Sequence, residues 1–140
     1  MRYTLVLTPL MLAMSSFALS SDLQRQDQLV WDFAEFVEKF SAKNWSQLQR
    51  FISSDTKVGF GGEMGFEGLL QVFGEDDSCH VAMVRALQMG CKKIGEGEAM
   101  RCVSPAHLET DVVYLGPRAS FKYSGDSSTW VVESLICGGD

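Results

Sequence analysis

Proline occurs three times in 140 residues, and the chain has no low-complexity tract and no internal repeat. With 21% charged and 46% hydrophobic residues, those absences exclude a wholly disordered, collagen-like or coiled-coil protein, and the length excludes a large two-domain enzyme. Bases are scarce, 12 Lys and Arg against 18 Asp and Glu, and the adjacent pair Lys92-Lys93 is followed by Glu96 and Glu98. Phosphate backbones are held by basic patches, so nucleic acid is not an expected partner. Beyond the first 20 residues no apolar run approaches the roughly 20 residues a membrane span needs. No two cysteines have the two-residue spacing of a redox or zinc motif, and the glycines at 59, 61 and 62 lack the lysine of a phosphate loop. No cofactor or metal motif is present.

What the sequence does contain begins with a leader. Residues 1–20 carry Arg2, an apolar core from Leu5 to Met14, and the small residues Ser15, Ser16, Ala18 and Ser20. This is the pattern of a secretory signal peptide, with cleavage after Ala18 or after Ser20 equally compatible. Removal of Arg2 leaves 11 bases against 18 acids, a net charge of −7 with His80 and His107 neutral. The expected residence is the periplasm or the cell exterior. An acidic surface of this kind is compatible with simple solubility and favours encounter with a cationic partner.

An exported chain of this size with four cysteines is expected to form two disulfides from Cys79, Cys91, Cys102 and Cys137. Asp77 and Ser78 are helix-capping types, and Val81, Val84, Leu87 and Cys91 follow at steps of three and four, with Gly90 as terminator. On a continuous helix Cys79 and Cys91 stand about 18 Å apart, too far for a disulfide. Cys91 with Cys102 closes a short glycine-containing loop and leaves Cys79 for Cys137. The arrangement Cys79 with Cys102 and Cys91 with Cys137 stays open.

Periodicity predicts a helix over 22–41 with Val30, Phe33, Ala34, Val37 and Phe40 on one face, and Asp32, Glu35, Glu38 and Lys39 mostly elsewhere. Asn44 with Gln47 resembles a capping box before a short helix carrying Trp45, Leu48, Phe51 and Ile52. A brief strand is expected at 57–60, a third helix with Phe66, Leu69, Leu70 and Phe73, then the cysteine-bearing helix and a loop from 103 to 111. Strands are expected at 112–115, 118–123 and 130–136. The reading is therefore α+β: a signal peptide at 1–20, a helical domain of about four helices at 21–111, and a short antiparallel region of two or three strands at 112–140, packed on the helices.

The segment from Val58 to Leu70, followed by Val113-Tyr114-Leu115-Gly116-Pro117-Arg118-Ala119-Ser120-Phe121 and Val131-Val132-Glu133-Ser134-Leu135, resembles uncharacterised exported bacterial proteins in which a small helical domain precedes a bacterial Src-homology-three-like region. That resemblance implies the module's first strand, long loop and second strand. A later tryptophan-bearing strand and a glycine-led final strand have no counterpart, so the module's barrel is incomplete and no binding residue carries over.

Candidate chemistry is sparse. Cys79-His80 pairs a thiol with an imidazole, but neighbours on a helix point about 100° apart and an exported thiol is usually oxidised. His80 and His107 lack a metal-ligand spacing and read as surface residues. Glu63 and Glu67 share a helix face at a spacing of four, the geometry of a carboxylate pair and equally of solvated surface. Phe33, Phe36, Phe40, Trp45 and Phe51 read as core rather than as a pocket lining. Asn44-Trp45-Ser46 is a glycosylation sequon, meaningful only in a eukaryotic host. The expectation is no catalytic residue and a non-catalytic binding or interaction protein of the bacterial envelope, its partner an envelope protein or cell-wall component. The alternatives are an acidic inhibitor or immunity protein of a cationic hydrolase or toxin, and an enzyme without a recognisable motif.

Overall fold

A computed structural model describes the backbone of residues 11–108 and 114–138, and the side chains of residues 21–108 and 114–138. Helix α1 (Met11–Ser41) spans both expected cleavage sites in the full-length chain. It ends where Lys43 takes a left-handed backbone, φ +56°, and Asn44 N donates to Lys39 O. A 3₁₀ segment (Trp45–Phe51) leads into strand β1 (Ile52–Val58), a glycine turn, and strand β2 (Glu63–Met64). Helix α2 (Gly65–Leu69) continues as a π turn (Leu70–Gly74), and helix α3 (Asp77–Gln88) follows. The remaining strands are β3 (Lys92–Ile94), β4 (Arg101–Ser104), β5 (Arg118–Ser124) and β6 (Thr129–Ile136).

The α+β class holds, but among the described residues six strands form one mixed sheet where two or three were expected. Its order is β2-β1-β6-β5-β4-β3, parallel between β1 and β6 and antiparallel elsewhere. Residues 52–104 contribute four of those strands, so the stretch read as helical shares a sheet with the carboxy-terminal hairpin. The strand expected at 57–60 coincides with β1 only at Lys57 and Val58; the earlier part of β1 is not legible because Ser53, Ser54 and Asp55 interrupt any apolar alternation. β4 begins the expected loop, where Cys102 and Ser104 are buried between half-exposed Arg101 and Val103. The strand expected at 112–115 lies partly outside the described residues, and Tyr114 and Leu115 are in a loop.

Local departures have local causes. Asn44 makes no side-chain cap; Gln47 N donates to its carbonyl instead, which suits a 3₁₀ turn rather than a capping box. α3 is capped one residue earlier than expected, by Asp76, whose Oδ1 accepts from Ser78 N at 2.9 Å and Cys79 N at 3.1 Å. Gly90, at φ +78°, follows its carboxy-terminal end.

α1 and α3 cover one face of the sheet. Phe36 and Phe40 from α1, Met83 and Leu87 from α3, and Phe121, Trp130 and Val132 from the sheet are essentially fully buried. Phe36 meets Phe121 edge-on at 5.2 Å and Phe51 at 5.5 Å. The buried face of α1 is turned from the expected one. Leu29, Asp32, Phe36 and Phe40 point inward, Phe33 and Val37 are half-buried, and Val30 and Ala34 are exposed. The cause is Asp32. Its carboxylate accepts from Trp130 N at 2.9 Å and lies 3.3 Å from Arg50, so a charged residue belongs to the core side.

Candidate functional site

The four cysteines are paired as Cys79 with Cys137 and Cys91 with Cys102, at Cα separations of 5.5 and 5.4 Å. The first ties α3 to the residue after β6; the second closes the β3–β4 hairpin. A bonded Cys79 offers no thiol to His80. His80 is not a surface residue as expected: it is 6% exposed, its Nε2 is 2.8 Å from Phe40 O, and its ring stacks on Phe40. The hydrogen bond explains how an imidazole is tolerated there. His107 is exposed.

Glu63 and Glu67 do not share a helix face, because Glu63 lies in β2, ahead of α2. The Glu63 carboxylate rests over the turn; a Cβ on Gly61 would meet its Oε1 at 2.5 Å, so glycine leaves it room. Oε2 has no hydrogen-bond partner among the described residues. Phe36, Phe40 and Phe51 pack in the core, Trp45 meets Phe40 edge-on at 5.6 Å, and Phe33 stays half-buried. Among the described residues no group of three histidine, cysteine or carboxylate side chains forms a metal site, and no helix is long and apolar enough to cross a membrane.

Two surface features remain. One is a hollow of about 440 Å³ at the β5–β6 turn, lined by Arg25, Glu98, Arg101, Lys122, Tyr123 and Asp126 among others. Arg101 and Lys122 stand directly opposite in the β4–β5 ladder, a like-charge pair that would be unfavourable alone. Glu133, displaced from the ladder by a register shift, brings its carboxylate to 3.0 Å from Arg101 and 2.8 Å from Ser120 Oγ. Burial would raise the Glu133 carboxyl, but the Ser120 and Arg101 bonds hold it below the ordinary carboxylate range. Lys122 lies 3.5 Å from Asp55, and Arg25 lies 3.6 Å from Asp22 and over the Tyr123 ring. Each base of the hollow thus has an acid partner, and its charge is spent internally.

The other feature is apolar. Val30 is 68% and Trp31 74% exposed on the outer side of α1, and Met89, just beyond α3, is 56% exposed. Between the helices runs an open groove of about 550 Å³ whose walls include Phe33, Val37 and Leu87, with Glu38 and Ser41 along it. A second hollow of about 410 Å³ shares Ala34 and Glu38 with the groove and adds Trp31 and Glu35. Ser41 Oγ is buried with no hydrogen-bond partner among the described residues. Carboxylates border the face: Glu38 contacts Lys39 at 2.9 Å, and Glu35 contacts Arg50 at 2.7 Å. Burial works against the Arg50 charge, but Glu35 and Asp32 together raise its pKa.

Helical periodicity alone puts Val30 and Ala34 in the core and so hides this face in the sequence. A signal was present: Leu29, Val30, Trp31, Phe33, Ala34, Phe36, Val37 and Phe40 make an apolar arc wider than one buried stripe requires.

No protein-family model and no curated protein matches the chain. Among solved structures it is similar to an NTF2-like protein with a cystatin-like fold from Novosphingobium aromaticivorans, at 15% identity and a TM-score of 0.47, over 89% of this chain and 85% of that one.

Proposed function

We propose that this is an exported, non-catalytic binding protein of the bacterial envelope, working in the periplasm or outside the cell, and that it meets an envelope protein through the α1–α3 face. The single observation that carries the reading is Trp31, 74% exposed next to the exposed Val30 and lining a hollow that shares Ala34 and Glu38 with the open groove. Isolated exposed apolar residues are ordinary, but an exposed tryptophan next to an exposed valine at the edge of a hollow is a residue type and setting favoured at interaction surfaces. The leader pattern and the two disulfides support an oxidising compartment. With all four cysteines bonded and His80 held to a backbone carbonyl, the side chains best suited to nucleophilic work are committed to structure. A narrower reading, an acidic inhibitor of a cationic hydrolase or toxin, is favoured by the excess of 18 acids over 12 bases in the chain.

The test is a photoreactive amino acid at position 31, compared with one at the exposed Asp126, in cells with an intact envelope. The expected outcome is a discrete covalent adduct from position 31 alone. Adducts of equal yield from both positions, or none from position 31, would overturn the reading.

A further inference from the structure

We infer that the Cys91–Cys102 bond is a redox latch on the edge of the sheet: its reduction by a dithiol releases β3 and leaves β4 as the new edge, with the rest of the fold in place. This is independent of the binding reading above.

The latch holds an element that little else holds. β3 is the last strand of the sheet and pairs with β4 through Lys92↔Val103, Lys93↔Cys102 and Ile94↔Arg101. Lys92 and Lys93 are exposed and Ile94 is half-buried, so no β3 side chain belongs to the buried core. Neither lysine makes an ion pair among the described residues. Towards α1, Lys93 and Gly95 border a hollow of about 240 Å³ shared with Asp22, Leu23 and Gln26, where a packed contact would otherwise be. Gly90 precedes the strand at φ +78° and Gly95 follows it at φ +74°, so both ends turn at residues with the widest backbone freedom. Opening here breaks few buried contacts, the mark of a unit that unfolds locally.

What the latch leaves behind is held independently. β4 keeps its pairing with β5 from Arg101↔Lys122 to Ser104↔Ala119. Met100 and Cys102 are buried, and Ser104 Oγ lies 2.9 Å from Ala86 O and from Gly90 O, tying β4 to the end of α3. The other disulfide is placed differently. Cys79 is a buried residue in the first turn of α3, close to buried His80 and Met83, so separating it from Cys137 means lifting α3 from the core.

Exposure also sets the order of the chemistry. Cys102 is sealed while Cys91 is half-buried, so an incoming thiolate reaches Cys91 Sγ. The bond between the two sulfurs breaks, Cys102 leaves as a thiolate and takes up a proton, and the attacking sulfur is joined to Cys91. The second thiol of the reductant then displaces Cys91, so a pair of electrons has passed to the cysteines and the reductant ends as a disulfide. Release of β3 unpairs the outward N–H and C=O groups of β4, an open edge of the kind that pairs with other strands.

The test is a dithiothreitol titration of the purified oxidised protein under native conditions. Free thiols are alkylated and located by mass spectrometry, and amide exchange is read along the chain. Cys91 and Cys102 are expected to label at about ten-fold lower reductant than Cys79 and Cys137. In that state the amides joining 92–94 to 101–104 should exchange about ten-fold faster, while those of β5, β6 and α3 keep their protection. Excess glutathione should leave its adduct on Cys91. The double variant Cys91→Ser, Cys102→Ser should show the same exchange pattern without reductant. Reduction of both bonds together, earlier reduction of Cys79–Cys137, a glutathione adduct on Cys102, unchanged protection at 92–94 once the latch is open, or loss of protection throughout the sheet would each overturn the inference.

Discussion

Asp32 shows how one residue can set the orientation of a helix. Its carboxylate is 2% exposed, yet it holds the Trp130 N–H at the start of β6 and shares Arg50 with Glu35. Replacing it with alanine strands a buried amide donor and removes an anion from Arg50, so Asp32→Ala is expected to cost about 3 kcal/mol in urea unfolding. Asp32→Asn retains an acceptor and should cost clearly less; equal losses from both would contradict the hydrogen-bond account. Glu133 carries a pH dependence of defined sign. Its carboxyl lies below the ordinary value of 4.5 in the folded chain, so its contribution is complete above that value and is lost as pH falls through the lower folded one. Glu133→Gln should therefore be less stable than the parent near neutrality and converge on it as pH falls below 4.5, as followed by denaturation monitored by circular dichroism across pH. At this scale the sequence was least legible. A buried aspartate looks like a solvent-facing one, and His80 looks like a surface histidine, until the groups that bond them are known.

Elements with a clear period, helical or alternating, were legible and those without one were not. α3 could be read from Val84, Leu87 and the capping residues before them, and β5 and β6 from their apolar alternation. β1 carries a polar stretch because its parallel neighbour β6 buries only part of it, and Thr56 joins the core by donating to Val132 O at 2.8 Å. β3 has only three residues, two of them lysine. The disulfides join elements over unequal loops, with sequence separations of 58 for Cys79–Cys137 and 11 for Cys91–Cys102. By the chain-entropy argument, replacing the first pair with alanine should cost about 4 kcal/mol and the second about 3 kcal/mol. Denaturant midpoints of the two double variants check this; a larger loss from the shorter loop would mean that local packing, not chain restriction, dominates. α1 divides its labour between two faces. Phe36→Ala, in the core, should cost about 4 kcal/mol, whereas Trp31→Ala should leave the unfolding midpoint nearly unchanged.

For the whole molecule, sequence composition led to the α+β class, while the size of the sheet depended on long-range pairing that no local pattern reveals. The chain, of formal net charge −6, buries Phe36, Phe40, Phe51, Phe73, Phe121 and Trp130 in one core and leaves Val30 and Trp31 exposed on the outer side of α1. The proposed function requires that this face be covered by a partner. The most direct measurement of that cover is hydroxyl-radical footprinting of the protein in the native envelope against the purified protein, read at individual residues by mass spectrometry. Met64, 47% exposed in β2 at the sheet's edge, serves as the reference, and Trp130, fully buried, as the intact-fold control. Oxidation of Trp31 and Met89 is expected to fall several-fold in the envelope while that of Met64 is unchanged. Equal oxidation of Trp31 in both settings, with Trp130 protected throughout, would contradict it.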